Sequence, residues 1–217
     1  MKYLLKPTII TLFLLTFLAG PAWADVDEEV IKLQHRWAEV NYQLQDKAQL
    51  AAFKSLLGDA DKTVEAYSDV ASSWIWRGII KSTYAGAKGG LGALSLAKSS
   101  KADFEQALNI NPNALEGSAY TSLGTLYFNV PGWPIGFGDD KKAEELLLKA
   151  LAINPNGIDS NYFFGDYLIQ EKRYEEAKTH LLKAMNAPVR PNRPLADAGR
   201  QKEIAKALVI VNKKLSR

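Results

Sequence analysis

Histidine and carboxylate patterns are the first candidates for chemistry in this chain. His35 and His180 are its two histidines, and neither belongs to an H-E-x-x-H motif or to a carboxylate cluster with metal-ligand spacing. His180 precedes Leu181, an apolar position of a helical pattern, so we interpret it as a structural helix residue. The serines near residues 95–100 have no visible base partner. We therefore expect no catalytic residue, no metal and no cofactor.

The stretch AGAKGGLGAL, residues 85–94, is rich in glycine and could suggest phosphate binding. It lacks the G-x-x-x-x-G-K-[ST] pattern, and no strand precedes it. We therefore interpret its glycines as a tight turn between helices. The chain also contains no cysteine, which excludes disulfides, thiolate chemistry, cysteine-bound zinc and a lipoprotein-type anchor. Together these observations favour a binding protein over an enzyme.

The first 24 residues have the pattern of a secretory signal peptide. Lys2 and Lys6 precede an apolar run at residues 9–19, and an A-x-A sequence follows at residues 22–24. Because the apolar run is shorter than the roughly 20 residues that span a bilayer, cleavage is favoured over an uncleaved membrane anchor. We expect a mature chain from Asp25 in a bacterial periplasm, or fully secreted, without stable membrane insertion. Loss of two lysines lowers the net charge from +3 to +1, so we expect no nucleic-acid partner.

Apolar and small residues recur at intervals of three and four through the rest of the chain. The stretch DKKAEELLLKALAI, residues 140–153, shows this spacing, which is typical of an amphipathic helix. No segment alternates convincingly with the period of two expected of a strand. Two similar octapeptides, QALNINPN at 106–113 and KALAINPN at 149–156, each end a helical pattern in an Asn-Pro-Asn turn. The pattern predicts an all-α protein built from repeated helical hairpins.

Small and large residues at fixed positions of these hairpins resemble the tetratricopeptide repeat family. The middle hairpin carries the family pattern at Tyr120, Leu123, Gly124, Tyr127, Ala143, Leu147, Ala150 and Pro155. The hairpin before it carries Trp74, Gly78, Phe104, Ala107 and Pro112, with Ser100 where alanine is usual, and the hairpin after it carries Phe164, Gly165, Ala177, Leu181 and Ala184. Small residues let neighbouring helices approach closely, and large residues fill the gaps around those contacts.

The resemblance implies a single domain over residues 25–217. Its fold class is a short right-handed α-solenoid of stacked antiparallel helix pairs with a C-terminal capping helix. We expect a degenerate pair at 27–67, repeats at about 70–112, 115–155 and 158–188, and the capping helix at 195–215. A regular repeat has 34 residues, and the first two repeats here are longer because each carries an insertion.

The second insertion, VPGWPIGFGDD at residues 130–140, carries Trp133, Ile135 and Phe137 in a segment rich in proline and glycine. Two interpretations are open. The loop folds its aromatic residues back to seal the core, or it presents them as a rigid anchor for a partner. Asp139 is predicted to cap the helix that follows.

In the family, the first helix of each pair lines a concave groove. The matching positions here are Ile75, Ile79 and Ser82 in the first repeat, Thr121, Thr125, Phe128 and Asn129 in the second, and Asp159, Tyr162, Asp166 and Gln170 in the third. Their hydroxyl, amide and aromatic groups suit an extended peptide or a helix. The alternative is that they form ordinary solvated helix faces. No dense cluster of Lys and Arg occupies these positions, so a clamp for a carboxylate terminus is not expected from them.

We predict a periplasmic scaffold or adaptor that binds a protein or peptide partner in a cell-envelope complex. The groove and the Trp133 loop would form its contact regions. The alternative is a small-ligand-binding or accessory component of a periplasmic solute uptake system, similar to proteins associated with TRAP transporters. That alternative predicts a closed apolar pocket between the repeats and the C-terminal helix.

Overall fold

The computed structural model describes residues 22–216, and almost all of the predicted signal peptide, residues 1–24, lies outside them. The helices in this range are α1 (Ala22–Gln43), α2 (Asp46–Ala66), α3 (Ala71–Lys88), α4 (Gly90–Ile110), α5 (Ser118–Asn129), α6 (Asp140–Ile153), α7 (Ile158–Gln170), α8 (Tyr174–Met185) and α9 (Pro194–Leu215). A short 3-10 helix, Ala114–Gly117, precedes α5. The described range contains no strand, which confirms the all-α prediction.

Consecutive helices pack against each other along the chain. The pairs α1–α2, α3–α4, α5–α6 and α7–α8 are helical hairpins, and α9 packs on α8. This order confirms the predicted helical solenoid. Within residues 22–216, none of the helices combines the length and apolar character needed to cross a membrane.

Short sequence signals set several helix boundaries. The Asp139 side chain accepts a hydrogen bond from the Lys142 backbone N–H at 3.0 Å, as predicted for the cap of α6. Gly89 and Gly90 have φ values of 62° and 64°, a region that favours glycine. The break between α3 and α4 is therefore a single residue, Gly89. Most of the glycine-rich insertion lengthens these two helices instead of forming a loop.

Three hairpins share the same close contact between a glycine and a large side chain. A Cβ atom placed on Gly78 would lie 2.5 Å from a ring carbon of Phe104, and one on Gly124 would lie 2.8 Å from Leu147 Cγ. A Cβ atom on Gly165 would likewise lie 2.9 Å from Leu181 Cγ. Each glycine thus lets the second helix of its pair approach closely enough to bury a large residue against the backbone of the first.

Helix α9 extends beyond the role of a cap on the last repeat. It packs on α7 and α8, and it also packs on α1 at the other end of the chain. The ring of Tyr42 lies directly against Gly199, where an added Cβ atom would be 2.4 Å from Tyr42 Cζ. His35 Nε2 lies 2.7 Å from the Asn192 carbonyl oxygen in the segment that precedes α9. The last helix therefore returns to the first and closes one side of the solenoid.

Candidate binding cavity

A cavity of about 1120 Å³ lies among the first helices of the successive pairs. Side chains of α1, α3, α5, α7 and α9 line it, together with the start of α4, the loop after α5 and the segment before α9. Its volume is slightly above the range of small-molecule sites, roughly 300–1,000 Å³. The wall has a polar, an aromatic and a charged part.

Helix α5 supplies the polar part through Thr121, Ser122, Thr125 and Asn129. The Thr125 hydroxyl donates to the Thr121 carbonyl oxygen at 2.8 Å, and the Asn129 side-chain amide donates to the Thr125 carbonyl oxygen at 3.0 Å. These bonds commit one donor of each side chain to its own helix. The hydroxyl and amide oxygens keep lone pairs with which to accept hydrogen bonds from an occupant.

Helices α1 and α3 supply the aromatic part. Trp37 and Trp76 pack edge to face, with ring centroids 5.9 Å apart, and Tyr42 also packs edge to face with Trp37, with ring centroids 5.6 Å apart. All three side chains line the cavity. Trp37 donates its Nε1–H to Thr83 Oγ1 at 3.0 Å, which fixes the indole ring. Trp37 and Trp76 are only 5% and 2% exposed, so the two indoles form a rigid apolar backing on this side of the cavity.

The charged part is a cluster of three arginines and three carboxylates, called here the arginine cluster. Its members are Arg190, Arg193, Arg200, Asp159, Asp197 and Glu203. Asp159 accepts from Arg190 Nη1 at 2.6 Å and from Arg200 Nε at 2.8 Å. Arg190 also pairs with Asp197, and Arg200 with Glu203. These contacts join α7, the segment before α9 and α9 itself.

Burial and the neighbouring guanidinium groups act in opposite directions on Asp159. Burial alone would raise the pKa of this carboxyl, but the charges of Arg200, Arg190 and Arg193 outweigh it and hold the pKa well below its usual range. Arg200 in turn lies 4.4 Å from the ring centroids of Tyr162 and Phe163. Asp159 is therefore ionised at physiological pH and anchors the cluster.

Two cavity tyrosines stay neutral at physiological pH. Burial raises the pKa of Tyr162 to about 12, and Asp166 and Glu203 contribute to the rise while Arg200 opposes it. Burial likewise raises the pKa of Tyr42 to about 12, with the same opposition from Arg200. Each phenol is thus a neutral donor and acceptor at the cavity.

The structure brings most of the predicted groove residues to one surface. The predicted residues that line the cavity are Ile79, Ser82, Thr121, Thr125, Asn129, Asp159 and Tyr162. They come from α3, α5 and α7, the first helices of three consecutive pairs. Of these, Asp159 is engaged by arginines, so its role is to hold the wall together.

Other predicted groove residues lie away from the cavity. Phe128 corrects a prediction, since it is only 7% exposed and packs edge to face on Tyr167 at 5.7 Å within the core between α5 and α7. Ile75 is fully buried in the same way. Asp166 is half-buried outside the cavity, where burial raises the pKa of its carboxyl. Gln170 is exposed at the end of α7.

The loop after α5 has features of both interpretations of the sequence, since it covers the core with one residue and exposes others. Phe137 packs edge to face on Tyr127 with ring centroids 5.5 Å apart, and so covers the core. Trp133 is 89% exposed and Ile135 is 67% exposed, and Ile135 lines the cavity. Gly138 holds the loop closed, because a Cβ atom there would lie 1.9 Å from the Val130 carbonyl oxygen. The loop therefore covers the core with one aromatic residue and exposes another to solvent.

Of the arginine cluster, the sequence identified only Asp159, and it did not identify the aromatic wall of Trp37, Tyr42 and Trp76. The three arginines and the residues Trp37 and Tyr42 come from α1, α9 and the segment before α9, which lie outside the repeat template. The one available signal was the spacing of Arg190 and Arg193 in VRPNRP at residues 189–194, just before the last predicted helix.

His180 on α8 packs against Asn161 and Phe164 of α7. His180 Nδ1 lies 3.0 Å from Asn161 Oδ1, its ring packs edge to face on Phe164, and burial lowers the pKa of its imidazole. Among the described residues, no group of three or more His, Cys, Asp or Glu side chains is arranged to hold a metal ion. The interpretation of His180 as a structural residue agrees with these contacts.

The fold is that of a helical-repeat protein with a cavity on the face formed by its first helices. The family model that matches is the tetratricopeptide repeat, over residues 158–187, which correspond to α7 and α8. The match covers this one helical pair, and repeats of this kind generally serve as scaffolds for protein interaction. No curated protein matches the chain.

Proposed function

We propose that the protein is a periplasmic adaptor that binds a segment of a partner protein in the cavity, as part of a cell-envelope complex. The observation that carries this proposal is the cavity of about 1120 Å³ between the first helices of consecutive pairs. Tetratricopeptide repeats commonly use this face to hold peptides. The periplasmic location rests on the signal-peptide pattern of the sequence.

The cavity wall carries hydrogen-bond acceptors beside an aromatic side chain, and this combination suits an extended peptide segment. Thr121, Thr125 and Asn129 present oxygen acceptors along α5, which suits the N–H groups of an extended backbone. Tyr162 faces the same space from α7. Trp133 is exposed and follows shortly after Asn129 in the sequence. It is the aromatic anchor that would extend the contact beyond the cavity.

Occluding the cavity is expected to abolish partner binding. Thr125→Trp places an indole into the space beside the polar wall, and we expect recovery of the partner from an envelope extract to fall at least about tenfold, since a clash at the centre of an interface removes its best contacts. Recovery is measured by quantitative mass spectrometry against the wild-type protein.

Thr179→Trp is the matched control. Thr179 is exposed on α8, and its hydroxyl also donates to the carbonyl oxygen four residues earlier, in this case Glu175. It does not line the cavity. Equal recovery by the two variants would contradict the proposal.

A second candidate function is supported by the return of α9 to α1. This contact closes a side of the cavity that an open solenoid would leave free. A binding component of a solute uptake system would need such an enclosed site for a small ligand. Thermal melting in the presence of organic acids, lipids and short peptides separates the candidates, because a ligand that binds only the folded state raises its melting temperature.

A further inference from the structure

Arg193 differs from the other two arginines of the arginine cluster. It immediately precedes α9, it lines the cavity, and its guanidinium carbon lies 5.2 Å from the centroid of the Trp76 ring. Arg190 and Arg200 each contact two carboxylates. Within residues 22–216, no carboxylate lies within ion-pair distance of Arg193.

Two side-chain donors at this wall also lack an acceptor. Arg193 Nε and Trp76 Nε1 are the buried side-chain nitrogens that find no hydrogen-bond partner in the described part of the chain. Buried donors are normally paired, because leaving one unpaired costs free energy. The guanidinium of Arg193 is a planar fork of donors, and its best matched acceptor is a carboxylate.

The charges around Arg193 favour a single negative charge on the ligand. Its cluster holds three arginines and three carboxylates, so the sum of these charges is zero. Burial and the repulsion of Arg190 and Arg200 lower the pKa of Arg193, although Asp159 and Asp197 oppose this. A monocarboxylate adds one charge beside an unpaired guanidinium, whereas a phosphate dianion would add two next to carboxylates that are already present.

The apolar surroundings define the rest of the ligand. Trp76 lies under the guanidinium and Trp37 packs on Trp76. These indoles are 2% and 5% exposed, and they back a cavity surface that Ile79 continues along α3. We propose that Arg193 and this aromatic wall form a subsite for a monocarboxylate with an apolar body, either a free organic acid or the C-terminal residue of a peptide. The inference rests on the proposed function, since it requires that the cavity be the binding site.

Paired acids and amides test the subsite by isothermal titration calorimetry. The probes are 4-phenylbutyrate against 4-phenylbutyramide, and acetyl-Ala-Ala-Phe as the free acid against its C-terminal amide. We expect the acid of at least one pair to bind at least about tenfold more tightly than its amide, because only the acid brings a negative charge and two acceptor oxygens to the guanidinium fork. The pair that responds identifies the source of the carboxylate.

Arg193→Gln is expected to remove this preference, so that acid and amide bind alike. Lys214→Gln removes the same charge from the exposed far end of α9 and should leave the preference intact. Arg193→Lys keeps the charge without the fork and serves as the second variant if the first melts at a lower temperature. It should retain a weaker preference for the acid.

The inference is overturned if acid and amide bind the wild-type protein equally in both pairs, if no probe binds, or if Arg193→Gln keeps the preference. These outcomes leave the proposed function standing as long as Thr125→Trp still reduces partner recovery. If Thr125→Trp has no effect on recovery, the proposed function fails independently of the acid preference.

Discussion

Replacing Asp159 with alanine is expected to lower the free energy of unfolding by about 3 kcal/mol. The carboxylate pairs with Arg190 and Arg200, and Arg200 is only 8% exposed. Without Asp159, Arg190 keeps only Asp197 and Arg200 keeps only Glu203, so the partly buried cluster carries one excess positive charge. Breaking a buried ion pair costs about 3–5 kcal/mol. We expect the lower end of this range because the Asp159 side chain keeps 29% of its surface exposed. Chemical denaturation at neutral pH measures the loss.

Asp69→Ala is the matched control, since Asp69 is exposed in the turn between α2 and α3 and forms no ion pair within the described chain. A surface change of this kind is expected to stay within about 0.5 kcal/mol. Similar losses for the two variants would contradict the role assigned to Asp159.

The free energy of unfolding that is lost in Asp159→Ala should depend on pH in one direction. Because the pKa of Asp159 is lower in the folded state than the value of about 4 in an unfolded chain, its contribution is fully present above that value. It is lost as the pH falls toward the folded-state pKa. The difference between wild type and Asp159→Ala should therefore be constant from pH 8 to about 5 and become smaller below about pH 4. A difference that grows in acid would contradict this assignment.

Replacing Gly124 with valine is expected to lower the free energy of unfolding by about 2–3 kcal/mol. The new Cβ atom would lie 2.8 Å from Leu147 Cγ and 3.2 Å from the Ala143 carbonyl oxygen. Leu147 is fully buried and the carbonyl belongs to the backbone of α6, so neither can move without separating the two helices. The expected result is a lower midpoint in thermal and chemical unfolding.

Gly58→Val is the control for the substitution itself. Gly58 lies inside α2, and a Cβ atom there would have no neighbour within 4 Å. Valine has a slightly better helix propensity than glycine, so this variant should be as stable as wild type or a few tenths of a kcal/mol more stable. Equal destabilisation at both sites would show that close packing does not explain Gly124.

The fold could be predicted from local patterns because the residue types within each hairpin indicate which residues pack together. Gly124 with Leu147, and Gly165 with Leu181, are short-range pairs whose residue types reveal the contact. The Asp139 cap was equally local. The return of α9 to α1 was not predictable in this way, since it depends on the curvature accumulated over all the pairs.

Part of the cavity lining could be predicted for the same reason. Thr121, Thr125 and Tyr162 follow from their positions in a repeat, and they line the cavity. Phe128 was misplaced because a template position does not say how far a helix has rotated toward its neighbour, and here the ring packs on Tyr167. Arg193 meets Trp76 across 117 positions of sequence, and nothing in either local sequence indicates the contact.

Site-specific photocrosslinking tests the central claim that the cavity holds the partner. A photoreactive amino acid is placed at Asn129, which is exposed at the cavity, or at Thr179 on α8, and the protein is irradiated in its native envelope. We predict one discrete crosslinked partner from Asn129, none from Thr179, and loss of the Asn129 product when Thr125→Trp is added. Equal products from both positions, or an Asn129 product that survives Thr125→Trp, would contradict the claim.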